Sequence, residues 1–512
     1  MDKKLLKWNF IFQYGWVLTN IFNSLLLTPL YLKNIDTNAL GVWWVTGNVL
    51  GLLILVDPGV GEVLQQRIAE LRGRNQRGEV GKLIGSGYSM SMIVLMISVV
   101  LGFIGYFSLG RIINKDISVY PHLSAALMIT ILATGLSLVS FTMTGINQGL
   151  HNSAQVAISS LAANFLFLAI NLVLLFLGWG VLSIAIANLG RAIYINIHNI
   201  SSMLRVLKRE AISIVFESAH LKSFARIFSF TSTSKIITGL SYNVDMVVLG
   251  RFISPSLITM YEVNRRPINH FYSLVGRHSV ALMPLISHAK GADKKDDIIQ
   301  FINQQFKFYS YAALFLALGF CFNYGNLIAA WTGPEHFVGN GLLYLLVGQF
   351  FFSLMVYFMA NVGYALGDIK KQSLYNICRG LVFGVLMYFA AKYYGIAGAV
   401  ACSLGVTVTA DFAFYYYRVY KLGYLQRSLF TGLASTWVFI LPAAFAGGWG
   451  LSQLTNSLLL PTQYFAKLLV NGGVFTLFFL LLLLIVDRPF RTKAMAVSGK
   501  YISLPFAKLK RA

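Results

Sequence analysis

The strongest constraint in this sequence is the recurrence of unbroken apolar runs of roughly 20 to 25 residues, each bounded by a short polar or basic stretch. A helix needs about 20 residues to cross the hydrocarbon core of a bilayer, so each run is long enough for one crossing. Transmembrane barrels are excluded, because their strands read as segments of about ten residues alternating at period two. Leu477 to Val486, by contrast, is apolar at every position. Composition removes the soluble alternatives. Of the 512 residues, 57% are apolar and only 12% charged, about half the charged fraction of a soluble protein. Too little polar surface exists to cover so much apolar side chain. The expected fold is an all-α integral membrane protein.

Fourteen spans are read from the runs and their flanks: 8–32, 40–66, 84–110, 122–148, 153–177, 180–204, 224–250, 255–285, 298–325, 338–363, 371–392, 395–417, 428–452 and 464–486. An even number puts both termini on one side, and the basic residues choose the side. Of the 41 Lys and Arg, 28 fall on the side of the N-terminus, 6 on the opposite side and 7 within spans. Cytoplasmic loops carry the excess of Lys and Arg, so both termini are expected inside. The strongest signals are Arg67, Arg72, Arg74, Arg77 and Lys82, then Arg205, Lys208, Arg209, Lys222 and Arg226.

The net charge of +23 is thus orientation information. Its residues are dispersed between spans and form no continuous basic domain, so no nucleic acid is expected as partner. The segment Arg491 to Ala512 interleaves six basic residues with Met495, Val497, Tyr501, Ile502, Leu504, Phe506 and Leu509, a pattern suited to the anionic cytoplasmic surface. Cys321, Cys378 and Cys402 lie inside spans without paired or metal-ligand spacing and read as packing residues.

The chain also resembles itself at an offset of 217 residues. Leu32-Lys-Asn-Ile-Asp-Thr-Asn-Ala-Leu40, followed by Trp43 and Trp44, sits over Leu249-Gly-Arg-Phe-Ile-Ser-Pro-Ser-Leu257, followed by Met260 and Tyr261. The turn at Gly178-Trp-Gly180 falls on Gly395-Ile-Ala397. Six spans intervene, so both copies start inside and the repeats are parallel, a plan in which transporters bind substrate between the halves. The expected organisation is an N-lobe at 1–205, a basic linker at 206–223, a C-lobe at 224–421, two added spans within 422–487 and a cytoplasmic basic tail at 488–512.

Ionisable residues inside spans cost about 2.5 to 3.5 kcal/mol each even on the lenient insertion scale. The deep basic ones are Arg191, Lys235, Arg265 and Arg266; Lys307, Arg379 and Arg277 lie closer to the cytoplasmic ends and can snorkel. Arg265 and Arg266 point about 100° apart on a helix, so at least one is expected to face the interior, and Pro267 should bend the helix there. Asp245 and Glu262 lie at similar depth, which suits either a structural ion pair or a site from which an anion displaces the carboxylate. Asp57, followed by Pro58, Gly59 and Gly61, reads either as a helix cap or as a carboxylate beside freed carbonyls that binds sodium or a proton. Asp411 is a weaker coupling candidate on the same grounds.

Asn20 and Ser24 share a face of span 1 with Gln13, and Tyr357, Asn361 and Tyr364 form one stripe on span 10. Such faces serve interhelical hydrogen bonds or line a polar cavity suited to sugars. No phosphate-cradling Gly-Lys-Ser/Thr loop and no His/Glu metal spacing occurs, so neither an enzyme nor an ATP-driven pump is expected.

Thr28-Pro-Leu-Tyr-Leu32, Leu40-Gly-Val-Trp43, Leu53-Ile-Leu-Val-Asp-Pro-Gly-Val-Gly61 and Arg67-Ile-Ala-Glu70 together resemble the N-terminal signature of the polysaccharide transporter branch of the MOP flippase superfamily, which includes O-antigen flippases. Tyr242-Asn-Val-Asp-Met-Val-Val-Leu-Gly250, Tyr261, Arg265 and Ala281-Leu-Met-Pro-Leu-Ile-Ser287 resemble its second-lobe signature. The sequence departs from the common Asp-x-Gly-x-Gly pattern by carrying Pro58. The resemblance implies two six-helix lobes, alternating access, and export of an undecaprenyl-pyrophosphate-linked oligosaccharide across a bacterial inner membrane. It implies membrane lipids, a polysaccharide polymerase and glycosyltransferases as partners, with a coupling ion, proton or sodium, in place of any cofactor. A pyrophosphate headgroup wants a basic, hydrated path, for which arginine supplies bidentate contacts. A multidrug exporter of the same superfamily would want acidic walls for its cationic cargo. A membrane scaffold for glycan-synthesis enzymes would need neither repeated lobes nor buried arginines.

Overall fold

The structure is a computed structural model, and it describes residues 3–57, 59–216, 245–291, 293, 295–425, 427–487 and 490–492. The first half runs α1 (Lys3–Asn34), α2 (Thr37–Gly51) with a 3-10 turn at Leu52–Val56, α3 (Val60–Gly73), α4 (Arg77–Ile113), α5 (Leu123–Gly149), α6 (Ser153–Phe176) and α7 (Val181–Glu210). The second runs α8, described over 245–252, then α9 (Pro255–Gly291), α10 (Lys295–Trp331), α11 (Asn340–Ala365), α12 (Ile369–Val406), a π-helical turn at Thr407–Asp411, α13 (Phe412–Lys421), α14 (Arg427–Leu458) and α15 (Tyr464–Val486). No strand occurs among the described residues. Ten stretches of described helix have the length and apolarity to cross a bilayer, and one of them, Ile369–Lys421, covers spans 11 and 12. The protein is an all-helical, multi-pass membrane protein.

The helices recur as the self-similarity predicts. α4 and α10 start 218 residues apart, at Arg77 and Lys295, and end 218 apart, at Ile113 and Trp331. α5 and α11 start 217 apart, at Leu123 and Asn340. Gly180 (φ 52°, ψ −131°) and Gly395 (φ 60°, ψ −144°) make the same sharp turn in the two copies, a conformation a Cβ forbids; they stand 215 residues apart, so the turn falls two residues away from the sequence alignment, which sets Gly395 over Gly178. One difference stands out. The chain from Thr37 to Gly73 is broken around Asp57, whereas α9 runs unbroken from Pro255 to Gly291. Asp57 is extended (ψ 112°), the restriction a following proline imposes. The second copy carries Val275 where the first carries Pro58, and its helix also continues through Pro267, eight residues earlier.

The described residues form two compact units, those within Met1–Val263 and Ser373–Cys402, and those within Asn264–Gln372 and Ser403–Ala512. In the first, α3, α4, α5 and α7 enclose Leu64, Ile68, Ile84, Met143, Ile146 and Leu207. α3 and α5 meet backbone to backbone: a Cβ on Gly61 would lie 2.4 Å from the Phe141 carbonyl, and one on Gly145 2.1 Å from the Gly61 carbonyl. Lipid supplies little hydrophobic drive between helices, so close approach and polar side chains hold them. The Asn147 amide donates to the Asn199 carbonyl (2.9 Å), the Asn152 amide to Ser202 Oγ (2.7 Å), and the Asn171 amide to the Tyr31 hydroxyl (2.7 Å).

In the second unit, α10, α14 and α15 pack through Phe315, Ile440, Ala444, Phe475 and Phe479, with the Phe315 and Phe475 rings stacked 5.8 Å apart. Asp487, just beyond α15, accepts from the Tyr311 hydroxyl and pairs with Lys307 Nζ, both at 2.6 Å. Burial pushes the Asp487 carboxyl up, but the bonds from Lys307, Tyr311 and the Phe490 N–H outweigh it and hold the group below the usual carboxylate range. Lys307 is therefore an ion-pair partner rather than a snorkelling residue. Cys378 is exposed rather than packed. The basic tail beyond 492 lies outside the described residues.

Candidate functional site

Glu262, Arg265 and Arg266 sit on α9, a 37-residue helix that also carries His270, Arg277 and His278. With so many polar groups, α9 is not among the ten described stretches apolar enough to cross on composition alone. A polar helix inside a membrane protein turns those groups toward protein or water, not lipid. Just before the arginines, Asn264 is fully buried; its amide donates to the His336 carbonyl (2.7 Å), and its own carbonyl accepts the Tyr324 hydroxyl. These contacts fix the helix at the position from which Arg265 and Arg266, both half-buried, project.

Further along α9, Tyr272 lies against Tyr357 of α11 (ring centroids 5.7 Å), and Ser279 Oγ accepts from the Asn361 amide at 2.8 Å. The stripe on span 10 thus faces α9 through Tyr357 and Asn361, while Tyr364 is exposed. Of the two readings left open for Asn361, the structure supplies the interhelical bond. Asp411 is buried in the π-helical turn, where Thr407 Oγ1 accepts from the Gln349 amide at 3.1 Å. Such turns interrupt helices preferentially at functional sites.

In the first unit, Asn20 and Ser24 are half-buried on α1, and Ser24 offers its carbonyl to Thr28 Oγ1 (2.7 Å). Their neighbour Asn23 is buried and donates to the Asn164 carbonyl of α6 (3.2 Å). Arg191 of α7 is half-buried with its guanidinium 5.3 Å from the Phe167 ring centroid, a cation–π placement. Asp245 is half-buried on α8. Lys235 lies outside the described residues, as does the side chain of Gln13.

Asp57 caps α3. Its Oδ1 accepts the N–H groups of Gly59 (3.1 Å) and Val60 (3.2 Å), two donors a helix start leaves open. Gly59 has φ +91°, which a side chain resists, and Gly61 touches α5. The Asp-Pro-Gly-Val-Gly stretch is therefore a helix break with three separate jobs: cap, left-handed turn and close approach.

With this geometry in place, the comparisons decide the family. Residues 16–290 match the family described as polysaccharide biosynthesis protein, which is more than half of the chain. The chain belongs to that family. No curated protein matches it. Among solved structures, the lipid II flippase MurJ in an inward closed conformation is similar at 14% identity with a TM-score of 0.67, covering 94% of this chain and 98% of that one. An inward-facing multidrug resistance MATE family transporter of the MOP superfamily is similar at 14% identity and TM-score 0.62, over 78% of this chain and 95% of that one. The Vibrio cholerae MATE transporter VcmN in its bent form is similar at 16% identity and TM-score 0.56, over 83% and 99%. At these identities the likeness establishes the fold alone, which this chain shares with those transporters. The family match spans the Asp57 break and reaches past Arg265 and Arg266.

Sequence reasoning missed the Gly61–Gly145 contact, although two glycines in otherwise bulky spans are the signal for close helix approach. It also missed Lys115 and Arg251, which donate to backbone carbonyls at the ends of α8 and α4.

Proposed function

We propose that the chain is a flippase that moves undecaprenyl-pyrophosphate-linked oligosaccharide units, such as those of O-antigen or another surface polysaccharide, from the inner to the outer leaflet of a bacterial inner membrane by alternating access. The family match over 16–290 carries the reading. The polar α9 with Arg265 and Arg266 supports it, since a pyrophosphate needs bidentate cationic partners away from lipid. The glycan calls for amides and hydroxyls, which Asn20 and Ser24 supply, and Arg191 and Lys235 add positive charge. A polymerase and glycosyltransferases are the partners such a step requires before and after it.

The test is direct. Purified protein in liposomes should move a fluorescent lipid-linked oligosaccharide between leaflets faster than protein-free liposomes do, and cells lacking the chain should lose surface polysaccharide while lipid-linked units accumulate inside. Protein that leaves the lipid-linked probe in place but drives a cationic dye across would instead be a multidrug exporter.

Energy coupling falls first to Asp57, with Asp245 and Asp411 next, and a proton or sodium as the ion. Membrane potential alone favours outward movement of an anion by about 2.3 kcal/mol per charge per 100 mV. Asn supplies the same cap acceptor as Asp without the charge. Asp57→Asn is therefore expected to keep wild-type abundance in the membrane and to lose gradient-driven flipping in liposomes. Unchanged flipping under an imposed ion gradient would leave Asp57 as a cap alone.

A further inference from the structure

Six basic residues, Lys33, Arg111, Lys115, Arg251, Lys392 and Lys467, stand on the side opposite the basic loops. Two of them make one joint. Lys115, in the turn after α4, donates through Nζ to the carbonyls of Gly250 (2.7 Å) and Ile253 (2.8 Å) at the end of α8. Arg251, on α8, donates through Nη1 to the carbonyls of Arg111 (3.0 Å) and Ile112 (3.1 Å) at the end of α4. Each helix lends a cation to the C-terminus of the other, where the last carbonyls lack intrahelical partners and the dipole is negative.

The same joint takes in the start of α2. Thr259 Oγ1 donates to the Thr37 carbonyl at 2.7 Å. Gly41 lies against Pro255 so closely that a Cβ would fall 1.9 Å from the Pro255 carbonyl, and a Cβ on Gly250 would fall 2.3 Å from Val45 Cγ1. The joint therefore ties α2 and α4 of the first repeat to α8 and the first turns of α9 in the second.

The two caps at the rim of the joint differ from its closed packing around Gly41 and Gly250 and from the packing elsewhere in this unit. The core of α3, α5 and α7 is apolar and closed, whereas Arg251 is exposed and Lys115 only half-buried. Cations and carbonyls at a membrane surface exchange one another for water at little net cost, so these caps can part and re-form more readily than apolar packing.

We infer that the reciprocal Lys115 and Arg251 caps are a reversible latch that holds the outer ends of α2, α4, α8 and α9 together, and that it releases when the flipped headgroup leaves toward the outer leaflet. The inference rests on the alternating-access reading above and assigns to it a specific outer contact. Charge that sits against the positive-inside bias is thereby accounted for: these two residues are on the outside because the latch needs them there.

The experiment uses the full chain with Cys321, Cys378 and Cys402 replaced by alanine and with Thr37→Cys and Thr259→Cys, whose parent residues share the 2.7 Å bond. Oxidation should form the disulfide and stop flipping of the fluorescent lipid-linked oligosaccharide, and a reductant should restore it. In the same background, Lys115→Met with Arg251→Met should slow disulfide formation on the order of tenfold, because each cap is a charge-assisted bond. Cross-linked protein that flips at the reduced rate overturns the latch, as does disulfide formation that ignores both methionines. A reduced protein that never flips the probe counts against the flippase reading instead, and the effect of the methionines on disulfide formation still decides the latch. A brace that never opens would show full cross-linking without any loss of transport.

Discussion

Alanine at both Arg265 and Arg266 is expected to lower flipping of a pyrophosphate-linked probe by roughly a hundredfold or more while the protein stays in the membrane. A charge-assisted hydrogen bond contributes about 1.5 to 3 kcal/mol, and each tenfold change corresponds to about 1.4 kcal/mol, so losing one good contact at each position reaches that size. Helix α9 should survive the change, because its position is fixed beside the arginines by the Asn264 amide on the His336 carbonyl and by the Tyr324 hydroxyl on the Asn264 carbonyl. Lysine at both positions should restore only part of the rate: it keeps the charge but replaces the planar fork with a single ammonium. The measurements are leaflet exchange of the probe in liposomes and surface polysaccharide in cells, each normalised to membrane abundance. A double alanine variant that exports at the wild-type rate would remove both arginines from the substrate path.

The spans were legible because helix length against bilayer thickness is a one-dimensional problem. α4 and α10, at 37 residues each, stand where apolar runs and self-similarity put them, and the Gly180 and Gly395 turns stand at the ends of the apolar runs, two residues off the self-similar register. Polar residues inside spans were found but not sorted, because a side chain that joins two helices and one that meets a substrate read alike in sequence. Asn361 shows the limit: its place on a stripe was visible, and its bond to Ser279, 82 residues away, was not. The helix break at Asp57 was legible, since Pro58 and two glycines after an acid signal it. Only coordinates show the Asp57 oxygen on the N–H groups of Gly59 and Val60. Charge was the least legible property. Counting Lys and Arg by side oriented the chain, yet that count treats Arg418 and Lys115 as interchangeable tokens, when one is buried in an ion pair and the other caps a helix.

The largest loss of stability is expected from breaking that Arg418 pair. Asp368 follows Gly367 (φ +84°) in the turn between α11 and α12, and it accepts Arg418 Nε on one oxygen and Nη2 on the other, both at 2.7 Å. The two side chains are only 8% and 6% exposed, so neither can turn to water if its partner is removed. Removing one member of such a pair costs about 3 to 5 kcal/mol, because the other is left as an uncompensated buried charge. Arg418→Ala and Asp368→Ala should each lower the thermal midpoint of the detergent-solubilised protein, and each should free the end of α13 from the α11–α12 turn. The pair's net worth is a different quantity, since two desolvated charges recover much of their cost only by attracting each other. Arg418→Met combined with Asp368→Leu should therefore melt well above either single variant, with a coupling energy that accounts for most of the single losses. Arg418→Lys should fall between, because the ammonium keeps the charge but cannot engage both oxygens in the same fork. If either single alanine variant melted with the wild type, Arg418 would be the orientation signal that its place in the sequence suggests and nothing more.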